Sequence, residues 1–219
     1  MKTHNNVVAA GALALALSLG LALPGVAQAA GTTILNEGFD DINALEGWAQ
    51  FNGSYPQGQS WFQGVASMFN AQGGAGNSYA ASNFLGADGG VGVVDNWLIS
   101  PLLQLTGTTV LSFFSRGAGT AGYSDQLEVR FDDGNGDFNT LLTTVGGVTS
   151  YPSSWTAYSA SVSQEGSGRF AFRYLGDADA LDYIGVDTVS VMTAVPEPSS
   201  WLMLVLGLAG VGALRRKFS

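Results

Sequence analysis

Hydrophobic residues in the middle of this chain recur at every second position, and this spacing constrains the fold more than any other feature. Leu127, Val129 and Phe131 alternate with charged residues, and segments 110–113 and 170–174 repeat the pattern. Successive side chains of a β-strand point to opposite faces, so these segments predict strands that are buried on one face. Within this middle part of the chain, no segment keeps helical periodicity for longer than about one turn.

Further strands are predicted between turn-like segments that are rich in glycine, such as residues 72–77 and 86–90. These strands are expected near residues 33–39, 48–51, 78–82, 97–100, 141–145, 155–162 and 186–191. About ten short strands with such turns predict an all-β fold, a jelly-roll β-sandwich made of two sheets. This domain is expected to span residues 30–194.

The first 29 residues have the pattern of a signal peptide. Lys2 supplies a short positive region, residues 7–23 are apolar, and residues 27–29 are the small-x-small sequence that a signal peptidase reads. We therefore expect an N-terminal signal helix that is cleaved after Ala29. The alternative, an uncleaved N-terminal anchor, is disfavoured because Pro24-Gly25 breaks the helix before the cleavage site.

Residues 195–219 form a tail with three parts. An extended linker precedes an apolar helix at about residues 199–214, and a basic cluster follows that helix. At about 1.5 Å per residue this helix covers about 24 Å, so crossing a bilayer would require local thinning or snorkelling. The linker motif is Val195, Pro196, Glu197 and Pro198, and the basic stop is Arg215, Arg216 and Lys217.

This tail resembles the PEP-CTERM signal of exported proteins in Gram-negative bacteria that produce exopolysaccharide. The resemblance implies a transmembrane helix at an inner-membrane intermediate, processing by an exosortase-type membrane protease, and delivery to the cell envelope or extracellular matrix. A permanent single-span anchor is the main alternative.

Charge and composition exclude several classes of function. Removing both terminal segments takes away four cations and one anion, which changes the formal net charge from −9 to −12. An acidic domain with four Arg and no Lys offers no cationic face to nucleic acid. The chain has no Cys, and its one His precedes Ala29. Thiol, Schiff-base and serine–histidine catalysis and imidazole or thiolate zinc sites are therefore not expected.

Three segments resemble the choice-of-anchor J domain, which is similar to cleaved-adhesin and MAM-type jelly rolls. They are residues 34–39 (ILNEGF) with the following Gly47-Trp48, residues 95–101 (DNWLISP) and residues 184–191 (IGVDTVSV). The resemblance covers residues 34–192 and implies a surface or matrix module. Thr188 stands where many members have a second acidic residue.

Two carboxylates are candidates for a structural Ca²⁺ site. Glu37 in the first predicted strand and Asp187 in the last each share a strand face with apolar residues. A carboxylate buried there must be neutralised, paired or bound to a cation. First and last strands lie close together in the resembling families, which implies Ca²⁺ held by Glu37, Asp187 and either Asp40 or main-chain carbonyls. Alternatively, both side chains lie at strand ends and reach water.

Residues 132–137 (DDGNGD) begin like a calcium-binding loop. Phe138 occupies the position that requires Gly, and Thr144 occupies the position of the bidentate Glu. A hairpin turn between Phe131 and Phe138 accounts for the same residues, because Asp, Asn and Gly tolerate positive φ.

Aromatic rings near loops are candidates for stacking on sugar rings. Packing in the core or at its rim is the alternative for each ring, and Trp97 is expected in the core. The candidates near loops are Trp48, Tyr55, Trp61, Tyr123, Tyr151 and Trp155. From these we assign Trp48, Trp61, Tyr123 and Trp155 as ligand-stacking residues.

Catalysis by paired carboxylates is the remaining enzymatic option. It requires two acids about 5 to 10 Å apart, and no predicted strand carries two acids at i and i+2 or i+4. The sequence therefore predicts no catalytic residues and an exported module that adheres to an extracellular polysaccharide or matrix. A purely structural surface protein is the second hypothesis, and a carboxylate-based glycanase is the third.

Overall fold

The computed structural model describes residues 31–195, and these residues form ten strands and three short 3-10 helices. The predicted signal helix, the helix at 199–214, and the residues Pro196, Glu197, Pro198, Arg215, Arg216 and Lys217 lie outside the described residues. The strands are β1 (Gly31–Glu37), β2 (Ala49–Asn52), β3 (Phe62–Gln63), β4 (Ala80–Asn83), β5 (Val93–Ile99), β6 (Leu103–Gly117), β7 (Gln126–Asp132), β8 (Thr140–Gly146), β9 (Thr156–Asp177) and β10 (Tyr183–Ala194). The 3-10 helices are Phe84–Gly86, Asp88–Gly90 and Ala178–Ala180.

The strands form two antiparallel sheets that share β9. In sheet A, β10 pairs with β1 and β4 on one side and with β6 on the other, and β3 extends the sheet beyond β4. The first part of β9, residues 156–168, pairs with β6. Sheet B has the order β2, β5, β9, β7, β8 and uses the second part of β9, residues 169–177.

The hydrophobic core lies between the two sheets. Phe113 of β6 and Phe172 of β9 meet edge to face with ring centroids 5.1 Å apart. Val129 of β7 and Val186 of β10 are fully buried in the same cluster. The predicted all-β fold is therefore confirmed, and the period-two alternation marks the faces that enclose the core.

β9 departs from the prediction, which placed separate strands at 155–162 and 170–174. The structure has one strand of 22 residues, because residues 163–168 continue the ladder with β6. The strand passes from sheet A to sheet B at Gly168. A Cβ at Gly168 would lie 2.6 Å from the ring of Phe131, so only Gly allows this close approach.

The predicted hairpin after Phe131 is confirmed. β7 and β8 pair antiparallel on either side of residues 133–139. Asp132 Oδ1 accepts hydrogen bonds from the main-chain N–H groups of Gly134 and Gly136, at 3.0 and 2.9 Å. Both glycines have positive φ, as the prediction requires.

No helix within residues 31–195 has the length and apolar character needed to cross a membrane.

Candidate ligand-binding face

The outer face of sheet B carries a row of side chains from four strands. The register places Phe51 of β2 opposite Trp97 of β5, Trp97 opposite Arg173 of β9, and Arg173 opposite Glu128 of β7. Opposite residues in neighbouring antiparallel strands point to the same face of the sheet. Since Leu98 points into the core, Trp97 points outward.

Arg173 lies at the centre of this row and holds two carboxylates. Its Nε is 2.7 Å from Asp95 Oδ1, and its Nη1 is 3.3 Å from Glu128 Oε2. The hydrogen bond to Asp95 is the main cause that raises the pKa of Arg173, so the guanidinium stays charged. Arg130 Nε lies 2.7 Å from the same Glu128 oxygen. The buried Glu128 is therefore balanced by two guanidinium groups.

Aromatic rings surround this ion-pair network. The guanidinium carbon of Arg173 lies 4.8 Å from the centroid of the Trp97 ring, a cation–π contact. The Trp97 ring is 5.8 Å from that of Phe138. Phe51 is 59% exposed and Tyr55 is 82% exposed. The indole nitrogen of Trp97 is buried and has no hydrogen-bond partner among the described residues.

Two adjoining depressions run over this face, and we call them together the groove. One has a volume of about 490 Å³ and is lined by Phe51, Trp97 and Phe138 among others. The other has a volume of about 430 Å³ and includes Tyr55 and Leu175. Asp95 and Arg173 belong to both, so the ion pair lies where the two meet.

The chemistry of the groove suits a ligand with both flat apolar surfaces and many hydroxyl groups. The exposed rings of Phe51 and Tyr55 offer apolar faces, and Asp95, Arg130 and Arg173 offer charged hydrogen-bonding groups beside them. A concave, largely apolar site with a few convergent polar groups is the usual form of a small-ligand site.

The aromatic residues assigned from the sequence lie elsewhere. Trp61 is 3% exposed within the core, so its assignment as a stacking residue is wrong. Trp48 is partly buried and packs edge-on against Phe39 at 5.3 Å. Trp155 packs edge-on against Phe69 at 5.6 Å and donates its indole N–H to the Asn70 carbonyl. Tyr123 is 48% exposed but does not line the groove.

Trp97 was expected in the core, and this prediction is also wrong. The residue lies in a run of apolar neighbours, which hides the parity of the strand in the sequence. The sequence did not identify Phe51 or Arg173 as site residues, because the row is formed only by the register of four strands. The available signal was parity: Asp95 and Trp97 are two residues apart and therefore share a face.

The predicted calcium ligands lie at the corner where β1 ends beside β10. Glu37 pairs with Val189, and its Oε1 accepts a hydrogen bond from Phe39 N at 2.8 Å. Asp187 is fully buried, so the alternative that it reaches water is wrong for this residue. Asp40 is exposed.

The Asp187 carboxylate accepts hydrogen bonds from three main-chain N–H groups. Oδ2 accepts from Gln72 at 2.7 Å and Gly73 at 3.1 Å, and Oδ1 accepts from Thr188. Burial raises the pKa of Asp187, while these hydrogen bonds act in the opposite direction. Thr188 has a φ of 50° and donates its hydroxyl to Gln72 Oε1 at 2.6 Å.

Within residues 31–195, no three side chains of His, Cys, Asp or Glu are grouped closely enough to hold a metal ion. The predicted set of Glu37, Asp40 and Asp187 is therefore not assembled as a cluster of carboxylates. A hard cation at this corner would also need neutral oxygen ligands, which Gln72 Oε1, Thr188 Oγ1 and nearby carbonyls can supply.

A second buried carboxylate, Asp125, was not identified from the sequence. Its Oδ1 accepts hydrogen bonds from the Tyr174 hydroxyl and from Asp182 N. Burial is the main cause that raises the pKa of Asp125, and the nearby Asp182 carboxylate adds to the effect. Its position before β7 in a loop gave no periodicity from which to infer burial.

Comparison with known proteins identifies the tail and the fold. Residues 194–217 match the PEP-CTERM protein-sorting motif, as the sequence predicted. The chain is similar in structure to the K3 and K1 cleaved adhesin domains of Lys-gingipain from Porphyromonas gingivalis W83. The TM-scores are 0.59 and 0.57, the identities are 21% and 24%, and each match covers 75% of this chain and 100% of that domain. No curated protein matches the chain in sequence.

Proposed function

We propose that this chain is an exported module of the cell envelope or extracellular matrix that binds polysaccharide through the groove on sheet B. The observation that carries the proposal is the row formed by Phe51, Trp97, Arg173 and Glu128, with Tyr55 beside it. Its rings lie next to charged groups that can hydrogen-bond sugar hydroxyls. We also propose that the two sheets are arranged as a jelly roll.

The sorting motif supports the cellular part of this proposal. In this proposal a signal peptidase removes residues 1–29, the helix predicted from the sequence at 199–214 holds an inner-membrane intermediate, and an exosortase-type protease then acts near Pro196. The acidic charge of the exported part gives nucleic acid no cationic surface to bind.

The groove supports catalysis less well than it supports ligand binding. Asp95 and Glu128 come from different strands, and both are held by Arg173. Glu128 Oε2 accepts hydrogen bonds from Arg130 Nε and Arg173 Nη1, so this oxygen is held in ion pairs within the row. A carboxylate-based glycanase is therefore the third hypothesis, after a purely structural surface protein.

Ca²⁺ at the corner between β1 and β10 is a second part of the proposal. Asp187 is fully buried and lacks a cationic side chain among its hydrogen-bond partners within residues 31–195. Glu37 pairs with Val189, two residues along the chain from Asp187, and Gln72 and Thr188 supply neutral oxygens next to Asp187. Ca²⁺ takes six to eight oxygen ligands. Its role would be structural.

Polysaccharide binding by the domain of residues 30–194 tests the proposal. A panel of soluble polysaccharides in affinity electrophoresis should identify at least one that retards the wild-type domain. Phe51→Ala and Tyr55→Ala should each weaken that binding roughly tenfold, because each removes an exposed ring worth more than about 1 kcal/mol at a contact centre.

Tyr123→Ala is the matched control, because Tyr123 is also exposed but does not line the groove. Its binding should equal that of the wild type. Retardation lost in Tyr123→Ala and kept in Phe51→Ala would place the ligand elsewhere. No retardation by any polysaccharide would favour the purely structural hypothesis.

A further inference from the structure

The first part of β9 has one edge that no described strand covers. Residues 156–168 pair with β6 along one side through thirteen residue pairs. β7 lies on the other side of β9 but pairs only with residues 169–174. Among residues 31–195, the backbone groups of 156–163 that point away from β6 have no strand partner.

The other edge strands in the described part of the fold are short or interrupted. β3 has two residues, β2 has four and β8 has seven. β1 has seven residues and a register shift between Thr33 and Leu35. Short strands and bulges are the usual protection of sheet edges against pairing with another chain. The free edge of β9 is longer than any of these and regular.

The free edge also lacks protective side chains. Residues 156–164 (TAYSASVSQ) contain no charged residue and no proline. Natural edge strands commonly carry Lys or Pro to prevent pairing. At the far end of this segment, Gln164 Nε2 donates to the Asp133 carbonyl at 3.2 Å.

We propose that this edge pairs with the same edge of a second copy of the chain, antiparallel about a two-fold axis at Ala160. A two-fold interface uses the same surface on both copies, so the strand must be complementary to itself. In this register Ser159 faces Ser161 of the other copy, and Tyr158 faces Val162. Aromatic and β-branched residues are a favourable cross-strand pair.

The position of the charges and the packing of two side chains are compatible with a second copy at this edge. Ala160 is the centre of the uncharged segment, so the register keeps Glu165 of the two copies at opposite ends of the interface. Two strongly acidic domains can then meet along a neutral strip. Tyr158 and Val162 pack only partly against the core, and pairing would cover them further.

Disulfide trapping tests the register, because the natural chain has no Cys. Full-length chains in detergent would carry Ser159→Cys or Ser161→Cys with different tags. Mild oxidation of the mixture should give a linked dimer that contains one of each, at several times the yield of either variant alone. Ser112→Cys is the matched control, since Ser112 is exposed on the same face but one strand inward, opposite Ser159.

Lysine substitution tests the association itself. Ser159→Lys with Ser161→Lys should lower the fraction of dimer measured by analytical ultracentrifugation in detergent at least tenfold, and Ser112→Lys should leave it unchanged. A chain that is monomeric in both wild-type and variant forms overturns the proposal. So does a dimer that survives the double Lys substitution, or equal disulfide yields from mixed and single variants.

Discussion

Asp125 is a carboxylate that the fold keeps away from water while giving it two hydrogen-bond donors. Both donors, the Tyr174 hydroxyl and Asp182 N, bond to Oδ1. Asparagine retains an oxygen at this position, so Asp125→Asn removes the charge and keeps both acceptor interactions. This residue therefore allows the effect of charge to be separated from that of hydrogen bonding.

The stability of the domain should depend on pH through Asp125. Burial raises the pKa of Asp125 above the 3.8 of the unfolded chain, so the folded state binds the proton more tightly. The stabilisation is complete below pH 3.8 and is lost as pH rises through the folded-state pKa. In urea unfolding from pH 3.5 to 8, Asp125→Asn should therefore show a smaller loss of unfolding free energy than the wild type.

Asp125→Ala provides the control for the hydrogen bonds. It leaves the Tyr174 hydroxyl and Asp182 N without their acceptor, so it should lose about 1 to 3 kcal/mol at every pH. Equal pH dependence in the wild type and Asp125→Asn would show that this carboxyl has the same pKa in both states.

At the scale of single residues, the sequence predicted core positions but not the residues of the groove. The alternation around Val129 identified core positions correctly, because one buried face leaves a regular pattern. Trp97 was misassigned because Leu98 and Ile99 beside it are also apolar. Phe51 could not be linked to Trp97 at all, since that contact depends on the register between β2 and β5.

Among the structural elements, β9 and β10 each pair with three strands, and the partners of β10 are β1, β4 and β6. The family resemblance implied that the first strand and the last would be close, and β1 and β10 do pair. The three-carboxylate calcium cluster is not assembled there, because Asp40 follows β1 in an exposed loop. The hydrogen bonds of Asp187 to the loop at Gln72 could not be predicted, because that loop has no periodicity.

Calcium should stabilise the domain at this corner. A ligand that binds only the folded state adds about 2.7 kcal/mol at 100 times its dissociation constant. In a domain of this size that should raise the melting temperature by roughly 5 to 10 °C. Thermal melts of residues 30–194 with Ca²⁺ and with chelator measure the shift.

Asp187→Asn should abolish the calcium-dependent part of the melting temperature. Asp179→Asn should keep it, because Asp179 is an exposed carboxylate on a separate 3-10 helix. Identical wild-type melting temperatures with Ca²⁺ and with chelator would mean that no Ca²⁺ binds here and that main-chain N–H groups alone compensate the burial of the Asp187 carboxylate.

For the whole molecule, the sorting tail and the folded part meet at the end of β10. β10 ends at Ala194, and the matched motif begins at the same residue. The motif thus starts at the last residue of β10, and its two prolines follow at Pro196 and Pro198. Proline has no main-chain N–H to donate, so Pro196 and Pro198 disfavour continuation of a β-ladder into the region where the protease acts.

The mature protein should lack the residues after the motif. Mass spectrometry of surface material should recover peptides up to the region of Pro196 and none that run from Leu214 into Arg215. Replacing Pro196, Glu197 and Pro198 by Ala should retain the tail, whereas Ser199→Ala should be processed normally. Intact tail peptides from the wild-type mature protein would instead show a permanent anchor.

The internal position of β10 also determines how the domain bears mechanical load. Tension applied through Val195 pulls along β10, whose antiparallel ladders with β1 and β6 run on both sides of the strand. Both ladders are then loaded in shear, and many hydrogen bonds resist the force together instead of opening one at a time. A domain held by its C-terminal end should therefore keep its fold when a ligand on sheet B is pulled away from the cell.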